Sequence, residues 1–558
     1  MIESVEKVGR GDFLDILRRI EDYARACPQR EAIRCGAKAL TYEELWTYSD
    51  ALGGWLHRYC GDRRDPIAVY GHKNPWMLVC FLACVKAGHG YCPIDVSVPE
   101  ARVELILQAL PDGPVLCTER LQADAGRHEI FGLEQLQELV REKRSRPVES
   151  AYTEVGESCQ ASAEEVYAEL DADCRVQGDE TWYIIFTSGS TGTPKGVQIS
   201  ADCLNHYLDW SVTLADSEAE KLGKVFLNQA PFSFDLSVMD LYTSLACGGT
   251  LYCLEKSVQS DYKQLMQALQ DSSAAVWVST PSFAEVCLSE RAFDASMMPK
   301  LATFLFCGET LANRTVQKLQ ARFPDAKIVN TYGPTESTVA VTEVLVTPEL
   351  AETVNPLPVG RPKPGTEIRI CDEQGAGLPD GEKGEIVILG DTVSIGYYKQ
   401  EELTKKAFFI ESRKKVAGQL GEALRGYHTG DKGYLKDGML FYCGRIDLQI
   451  KLHGYRIELE DIENNIRRLP GIEHAAVLAN ERDGKVKSLT ACVVEKELPA
   501  DPRSETKALK QGLLAFVPDY MVPKKFVFLE QMPMTANGKA DRKRLRAYLE
   551  QGQEAVTQ

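Results

Sequence analysis

Residues 182–196 read WYIIFTSGSTGTPKG, an apolar run followed by a loop of small residues. The run 182–186 has β propensity and predicts a buried strand. Glycines and hydroxyl-bearing residues let a backbone wrap closely around an anion, and a lysine adds a positive charge. The spacing differs from that of P-loop and Rossmann nucleotide-binding motifs. We therefore predict another kind of phosphate-binding loop over 187–196, which we call the phosphate loop, with these ligands: Thr187, Ser188, Thr191 and Lys195.

Strand and helix patterns alternate around this loop. A strand over 66–70 followed by a helix over 76–87 forms a β–α unit, which implies a parallel sheet with helices on its faces. Further buried strands over 274–281 and 304–309 end in loops, where ligand contacts of open α/β sheets gather. Near the N-terminus, apolar spacing predicts an amphipathic helix over 12–26, and Thr41 with Glu44 forms a capping box.

The composition excludes several classes of protein. The 558 residues include 64 basic and 81 acidic side chains, and the net charge of −17 argues against binding to nucleic acid or anionic membranes. We find neither a leader segment nor an apolar run of about eighteen residues, which predicts a cytoplasmic protein without membrane insertion. An odd total of 17 scattered cysteines predicts reduced thiols, and 8 scattered histidines predict no zinc site. The oligomeric state stays open.

Two side chains are candidates for binding a substrate. Asp235 lies in the aromatic-rich turn 231–235, where a carboxylate is costly unless it meets a cation, so a substrate ammonium is a candidate partner. A simple helix N-cap is the alternative. Cys307 follows the strand 304–306 and would line a pocket, although a buried cysteine is also often just a small apolar residue.

The stretch 330–336 reads NTYGPTE and combines an aromatic ring with amide, hydroxyl and carboxylate groups. Tyr332 can lie against adenine, and Asn330 can hydrogen-bond its edge. Thr335 and Glu336 can approach Mg2+, which prefers oxygen ligands. The remaining predicted nucleotide contacts in this stretch are Thr331, Gly333 and Pro334.

With these motifs the chain resembles the adenylate-forming superfamily, which includes acyl-CoA synthetases, luciferases and the adenylation domains of peptide synthetases. The resemblance implies an α/β fold with a large N-terminal domain of α/β sheets plus a small β-barrel, over 1–446. A mobile smaller α+β C-terminal domain would follow over 447–558, with Asp447 as the hinge. An acidic insertion at about 141–178 and the segment 411–426 depart from the usual length, and we assign them no function. The low apolar content and high charge of the insertion favour a surface loop or disorder.

The same resemblance assigns roles to further residues. Asp431 would grip the ribose hydroxyls, and Lys539 would be the catalytic lysine, bridging the substrate carboxylate and the ATP α-phosphate. Cys307 would narrow the substrate pocket, Val339 matches a further pocket position, and Asp235 would bind the substrate amine. Additional ATP contacts would come from a second motif: Tyr442, Cys443, Gly444 and Arg445.

The match is closest to the D-alanine-activating members, on the stretches 182–200, 231–242, 304–309 and 446–463. It implies activation of D-alanine as D-alanyl-AMP with ATP and Mg2+. Transfer to the phosphopantetheine thiol of a D-alanyl carrier protein would follow, with the carrier supplied in trans. The product would serve D-alanylation of lipoteichoic acid.

Three alternatives remain. The first is a stand-alone peptide-synthetase adenylation enzyme for another small amino acid, because the residues alone do not decide between D and L substrates. An acyl-CoA synthetase is the second, and Asp235 argues against it because a carboxylate would repel an acid that has no amine. The third is a catalytically silent scaffold, which the presence of Lys539 and Asp431 argues against.

Overall fold

The computed structural model describes residues 15–145, 170–189, 194–412, 423–446, 449–452, 454–482, 485–496, 498–534 and 540–550. The strands are β1 (Glu31–Cys35), β2 (Lys38–Thr41), β3 (Ile67–Gly71), β4 (Tyr91–Asp95), β5 (Pro114–Cys117), β6 (Glu129–Gly132), β7 (Thr181–Thr187), β8 (Lys195–Ser200), β9 (Val225–Asn228), β10 (Thr250–Cys253), β11 (Val276–Ser279), β12 (Thr303–Phe306), β13 (Lys327–Tyr332), β14 (Thr342–Leu345), β15 (Arg361–Pro362), β16 (Thr366–Cys371), β17 (Gly384–Gly390), β18 (Gly396–Tyr397), β19 (Phe408–Ser412), β20 (Ala423–Lys436), β21 (Met439–Arg445), β22 (Gln449–Leu452), β23 (Tyr455–Glu458), β24 (Ile472–Arg482), β25 (Lys485–Glu495) and β26 (Lys525–Phe528). The α-helices are α1 (Ile16–Ala26), α2 (Tyr42–Cys60), α3 (Pro75–Lys86), α4 (Glu100–Ala109), α5 (Leu133–Ser145), α6 (Ala201–Ser211), α7 (Glu218–Lys221), α8 (Leu236–Ala246), α9 (Lys256–Ser260), α10 (Tyr262–Asp271), α11 (Pro281–Cys287), α12 (Asn313–Arg322), α13 (Pro348–Thr353), α14 (Glu401–Ala407), α15 (Leu459–Arg467), α16 (Pro502–Leu513) and α17 (Arg542–Glu550).

Two large sheets form the frame of the N-terminal part. One has nine strands in the order β15-β14-β13-β12-β11-β9-β10-β1-β2, and its six strands from β13 to β1 pair in parallel. The other has seven strands in the order β18-β8-β7-β4-β3-β5-β6. Helices α3 and α8 are buried along almost their whole length, which their apolar sequences on all sides explain. The predicted α/β fold is confirmed.

The phosphate loop joins the two strands β7 and β8. These strands pair antiparallel, with Thr187 opposite Lys195, so the loop turns back at one edge of the parallel part of the seven-stranded sheet. The predicted strand over 182–186 is confirmed. Residues 190–193, and with them the predicted ligand Thr191, lie outside the described residues.

A third sheet has five strands, β16-β17-β20-β19 with β21 paired to β20, and all of its pairings are antiparallel. It lies in the large N-terminal domain, for which the resemblance implies a small β-barrel. The described residues from 449 onward, which we call the small domain, contain the hairpin β22–β23, the sheet β24-β25-β26 and helices α15 to α17. A large N-terminal and a smaller C-terminal domain are thus confirmed. The boundary at 446/447 stays a prediction because Asp447 lies outside the described residues.

Several local predictions can be compared with the structure. The capping box is confirmed, since Thr41 Oγ1 accepts from Glu44 N at 3.2 Å and Thr41 N donates to Glu44 Oε2 at 2.9 Å. Helix α1 begins at Ile16 because the Asp15 side chain caps it. The acidic insertion predicted as a loop from about residue 141 is wrong for its first residues, because α5 continues to Ser145. Among the described residues, no helix has the length and apolar character needed to span a membrane.

Candidate active site

A cavity at the carboxyl ends of strands β7, β12 and β13 brings together the predicted substrate and phosphate ligands. We call it the Asp235 cavity. Both the large domain and the small domain line it. The predicted site residues that it gathers are Asp235, Cys307, Val339, Thr187, Ser188, Gly333, Pro334, Thr335, Asp431 and Arg445. The small domain contributes, among others, Lys451, Gly454, Tyr455 and Arg456.

Asp235 precedes helix α8, but its side chain makes no capping hydrogen bond to that helix. Its Oδ2 instead accepts a hydrogen bond from Thr335 Oγ1 at 2.6 Å. This bond joins a predicted substrate ligand to a predicted metal ligand. Burial raises the pKa of Asp235, while Thr335 and the positive charges of Lys451 and Arg456 oppose that shift. A carboxylate whose charge is disfavoured by burial gains most from a cationic ligand.

Cys307 and Val339 form one wall of this cavity. Both are buried, and Cys307 Sγ lies 3.8 Å from the Val339 carbonyl oxygen. Burial raises the pKa of the Cys307 thiol, which keeps it neutral and unreactive. Val339 has φ 67°, which is uncommon for a β-branched residue and costs on the order of 1–3 kcal/mol. Gly333 permits this turn, because a Cβ there would lie 2.5 Å from Ala340 Cα.

A second cavity, which we call the Asn330 cavity, lies beside the first. The predicted nucleotide ligands that line it are Asn330, Thr331, Tyr332, Tyr442, Gly444 and Arg445. Asn330 Nδ2 donates to the Pro358 carbonyl at 2.8 Å, whereas the buried Asn330 Oδ1 has no hydrogen-bond partner among the described residues. Such an acceptor suits the exocyclic amino group of adenine.

Asp431 links the two cavities. Its Oδ2 accepts from Tyr332 Oη at 2.6 Å, and its Oδ1 accepts from Arg445 Nη1 at 2.8 Å. The Tyr332 and Tyr442 ring centres lie 5.9 Å apart. This arrangement holds a carboxylate and a guanidinium side by side, a pair that can bind hydroxyl and phosphate oxygens.

Strand β23 of the small domain contacts the phosphate loop. Ser188 Oγ donates to the Arg456 carbonyl at 3.1 Å and accepts from the Glu458 backbone N–H at 3.1 Å. Lys195 Nζ lies 3.2 Å from Glu458 Oε1. The side chains of the predicted phosphate ligands Ser188 and Lys195 are therefore bound to residues of β23 in this structure.

Glu336, the predicted metal ligand, is fully buried. Arg456 Nη1 donates to Glu336 Oε2 at 2.5 Å, and Tyr397 Oη donates to Glu336 Oε1 at 2.8 Å. Burial alone would raise the pKa of Glu336, but the charges of Arg456 and Lys195 outweigh it and lower the pKa to about 2. The carboxylate is therefore ionised and offers hard oxygen ligands, which fits a divalent cation such as Mg2+.

The remaining predicted site residues have different surroundings. Thr331 Oγ1 donates to the Phe306 carbonyl at 2.9 Å. Cys443 is exposed and lines neither cavity. Lys539 lies outside the described residues, and its described neighbours Met534 and Ala540 line neither cavity.

Sequence reasoning missed the small-domain residues of the site. Arg456 and Glu458 contact predicted phosphate and metal ligands, and the Gly454 backbone N–H donates to Glu309 Oε1 at 2.7 Å. The stretch 454–458 reads GYRIE, and its charged side chains within an otherwise apolar strand pattern were the available signal. A pattern of this kind does not reveal which distant residue is the partner.

The α/β fold carries two adjoining cavities at the ends of its strands, one lined by the phosphate loop and the Asp235 carboxylate and the other by Asn330 and Tyr332. Residues 20–398 match the family model of the AMP-binding enzyme, and residues 461–539 match that of the AMP-binding enzyme C-terminal domain. The chain belongs to the AMP-binding enzyme family. Enzymes of this adenylate-forming family use ATP.

Named relatives extend over nearly the whole chain. A D-alanine--D-alanyl carrier protein ligase of Bacillus cereus is 43% identical over 533 residues, covering 95% of this chain and 99% of the relative. A protein of the same name from Bacillus anthracis is 43% identical over 541 residues, covering 95% and 99%.

Solved structures share the fold. The structure of holo-PA1221, an NRPS protein containing adenylation and PCP domains bound to a vinylsulfonamide inhibitor, has a TM-score of 0.74 and 27% identity, covering 96% of this chain and 84% of the other. The Vibrio cholerae adenylation domain AlmE in complex with glycyl-adenosine-5'-phosphate has a TM-score of 0.75 at 22% identity, covering 98% and 99%. The second likeness concerns the fold alone.

Proposed function

We propose that this chain activates D-alanine with ATP as D-alanyl-AMP and transfers the D-alanyl group to the phosphopantetheine thiol of a carrier protein in trans. The main support is the composition of the Asp235 cavity. The Asp235 carboxylate, which would bind the amine, lies there together with the wall formed by Cys307 and Val339 and with residues of the phosphate loop. The 43% identity to ligases of that name over 95% of the chain supports the choice of D-alanine. The carrier thioester would then serve D-alanylation of lipoteichoic acid, with the enzyme in the cytoplasm.

The first step joins two anions. A substrate carboxylate oxygen attacks the ATP α-phosphorus, the bond from that phosphorus to the bridging oxygen breaks, and pyrophosphate leaves. The chain would contribute position and charge rather than covalent chemistry. Asp235 would hold the ammonium, and Asn330 Oδ1 would accept from the adenine amino group. The Asp431 carboxylate would give up its hydrogen bond to Tyr332 or Arg445 and accept hydrogen bonds from the ribose hydroxyls instead.

Glu336 and Thr335 are the proposed ligands of Mg2+. The ion would supply positive charge to the departing phosphates. Glu336 is fully buried, and its carboxylate already binds a cation, Arg456, which supports this role. Thr191 and Lys195 would add hydrogen bonds and charge from the phosphate loop.

Lys539 is proposed as the catalytic cation of the first step, bridging the substrate carboxylate and the α-phosphate. It would come from a mobile small domain that turns about Asp447, with the domain boundary at 446/447. We assign the contacts of β23 with Ser188 and Glu336 to a second placement, in which the small domain would present another surface to the site.

In the second step a thiol attacks the carbonyl carbon of the adenylate. The carbon–sulfur bond forms, the carbon–oxygen bond to AMP breaks, and the thiol proton is released. The Asp235 cavity extends between α4 and the small domain, where Ser97, Val98 and Arg102 face Pro518 and Tyr520. We propose this extension as the path of the phosphopantetheine arm.

ATP–pyrophosphate exchange with D-alanine, L-alanine, glycine and serine tests the substrate. We expect the largest kcat/KM with D-alanine, and a clear preference for one of the others would support an adenylation enzyme for that amino acid instead. Absence of exchange with all four, together with retained ATP binding, would favour a catalytically silent scaffold. A holo carrier protein should then gain the mass of one D-alanyl group, whereas an apo carrier should not.

A further inference from the structure

Arg456 stands where a metal cation is expected. Its guanidinium lies 2.5 Å from Glu336 Oε2, and its side chain is only 12% exposed. Tyr397 occupies the other oxygen, Glu336 Oε1, at 2.8 Å. Two cations that share one carboxylate oxygen in a buried site repel strongly because little water screens them. Arg456 in this position and Mg2+ on Glu336 therefore exclude each other.

Other contacts of β23 also compete with a bound nucleotide, so the competition involves the whole strand and not Arg456 alone. Ser188 and Lys195, the other phosphate ligands in this region, are bonded to residues 456–458 of the same strand. A nucleotide that takes these ligands must displace β23 as well as the guanidinium. Arg456 is thus one of several contacts of β23, but among the described residues of that strand it is the one that pairs with Glu336.

We propose that Arg456 is a positioning residue, which neutralises Glu336 when the metal has left and thereby docks the small domain for thiol transfer. The inference rests on the proposed function for the identity of the nucleotide and the metal. Glu336 exchanges its cation partner between the two steps. Before adenylate formation the carboxylate is available to the metal, and after pyrophosphate has gone it holds Arg456 and keeps β23 on the phosphate loop.

Two further ion pairs hold the small domain in the same placement. Arg102 Nη1 lies 2.9 Å from Asp461 Oδ2, and Lys485 Nζ lies 2.6 Å from Glu285 Oε1. Neither pair involves the phosphate loop or Glu336. They supply a control, because loosening one of them weakens docking without changing the competition at Glu336.

Backbone amides report the docking directly. The Gly454 N–H donates to Glu309 and the Glu458 N–H donates to Ser188, so both exchange slowly with deuterium while the small domain stays docked. We expect a peptide spanning 454–458 to exchange faster when Mg·ATP is added to the full-length protein without amino acid. ATP with a chelator should have a smaller effect, because Glu336 then keeps Arg456.

Arg456→Ala is the decisive variant. It should speed exchange of the 454–458 peptide without nucleotide, and tighten Mg·ATP binding in calorimetry by at least about threefold, because less of the protein is held in the competing arrangement. It should also slow thiol transfer more than pyrophosphate exchange. Arg456→Lys keeps the charge but loses the planar guanidinium, so its exchange rate and Mg·ATP affinity should lie between those of Arg456→Ala and the parent. This variant replaces Arg456→Ala in the experiment if the alanine variant does not fold.

Asp461→Asn is the matched control. It should also speed exchange of the 454–458 peptide, but it should leave the ratio of ATP affinities with and without Mg2+ unchanged, whereas Arg456→Ala should raise that ratio. The inference would be overturned if the ratio of ATP affinities with and without Mg2+ were equal in Arg456→Ala and the parent. It would also be overturned if Mg·ATP did not change the exchange rate of the 454–458 peptide. If the parent bound Mg·ATP but failed to activate any amino acid, the proposed function would fall while the competition at Glu336 could still hold. A parent that does not bind Mg·ATP would overturn both.

Discussion

Replacing Asp235 with asparagine tests whether this carboxylate holds the substrate amine. Its Oδ2 accepts from Thr335 Oγ1 at 2.6 Å, and the asparagine carbonyl preserves an acceptor of the same size there. The change removes the negative charge while the shape of the cavity is kept. A substrate ammonium would then lack its counter-charge, which costs about 3–5 kcal/mol for a buried pair.

The lower end of that range applies, because Asp235 is only partly buried. A cost of about 3 kcal/mol corresponds to a loss of roughly a hundredfold in kcat/KM for D-alanine. Burial raises the pKa of Asp235, so the parent should lose kcat/KM as the pH falls through that raised pKa, since the protonated carboxyl no longer pairs with the ammonium. The asparagine variant should lack this acidic limb.

Pyrophosphate exchange with D-alanine and with propionate, which lacks the amine, measures this effect. The parent should strongly prefer D-alanine, and the asparagine variant should lose most of that preference. Calorimetric Mg·ATP affinity should stay within about twofold of the parent, because the asparagine carbonyl still accepts the hydrogen bond from Thr335 and Asp235 does not line the Asn330 cavity. If the variant kept its preference for D-alanine over propionate, the assignment of Asp235 to the amine would be wrong.

Three further predictions concern other parts of the chain. Asn330→Ala removes the unpartnered buried acceptor Oδ1, so ATP should bind about tenfold more weakly and its preference over GTP should shrink, as measured by calorimetry; unchanged affinity would contradict the adenine site. Lys539→Ala should abolish pyrophosphate exchange while ATP binding survives, and normal exchange would refute its catalytic role. Lys86 lies on Trp46 and 2.7 Å from Asp50, and burial lowers its pKa to about 7. Because the unfolded chain then binds the extra proton above pH 7, this group makes the free energy of unfolding rise with pH by up to about 1.4 kcal/mol per unit toward pH 10. Lys86→Met should remove that rise in denaturant titrations, and a parent-like pH slope would show that Lys86 is charged.

Local patterns predicted several elements around the phosphate loop and near the N-terminus correctly. The capping box of α2 depends on residues three positions apart, and the buried strand before the phosphate loop depends on a run of apolar side chains, so each is written in a short stretch. Helix α5 was not predicted, and its last residues were assigned to the acidic insertion. Residues 141–145 read REKRS, and lysine, arginine and glutamate suit a solvated loop and an exposed helix equally well.

The cavity composition was partly accessible from the sequence. The position of Cys307 follows from its place after the parallel strand β12, at the edge where ligand contacts gather. Asp431 lies within β20 of another sheet, so its presence in the same cavity was not predictable from such a strand end. The partner of Asp235 was not foreseen. Thr335 was assigned to the nucleotide and the metal, yet its hydroxyl donates to Asp235 across 100 residues of sequence.

The class of fold, the phosphate loop and the kinds of side chain available for binding are predictable from the sequence, because they depend on neighbouring residues and on their chemistry. Which charged groups meet depends on the folded arrangement of distant segments. Arg456 and Glu336 are 120 residues apart, and nothing in either local pattern names the other. Their pairing follows from how the small domain lies against the phosphate loop, and such placement is set by packing over the whole interface rather than by any single stretch.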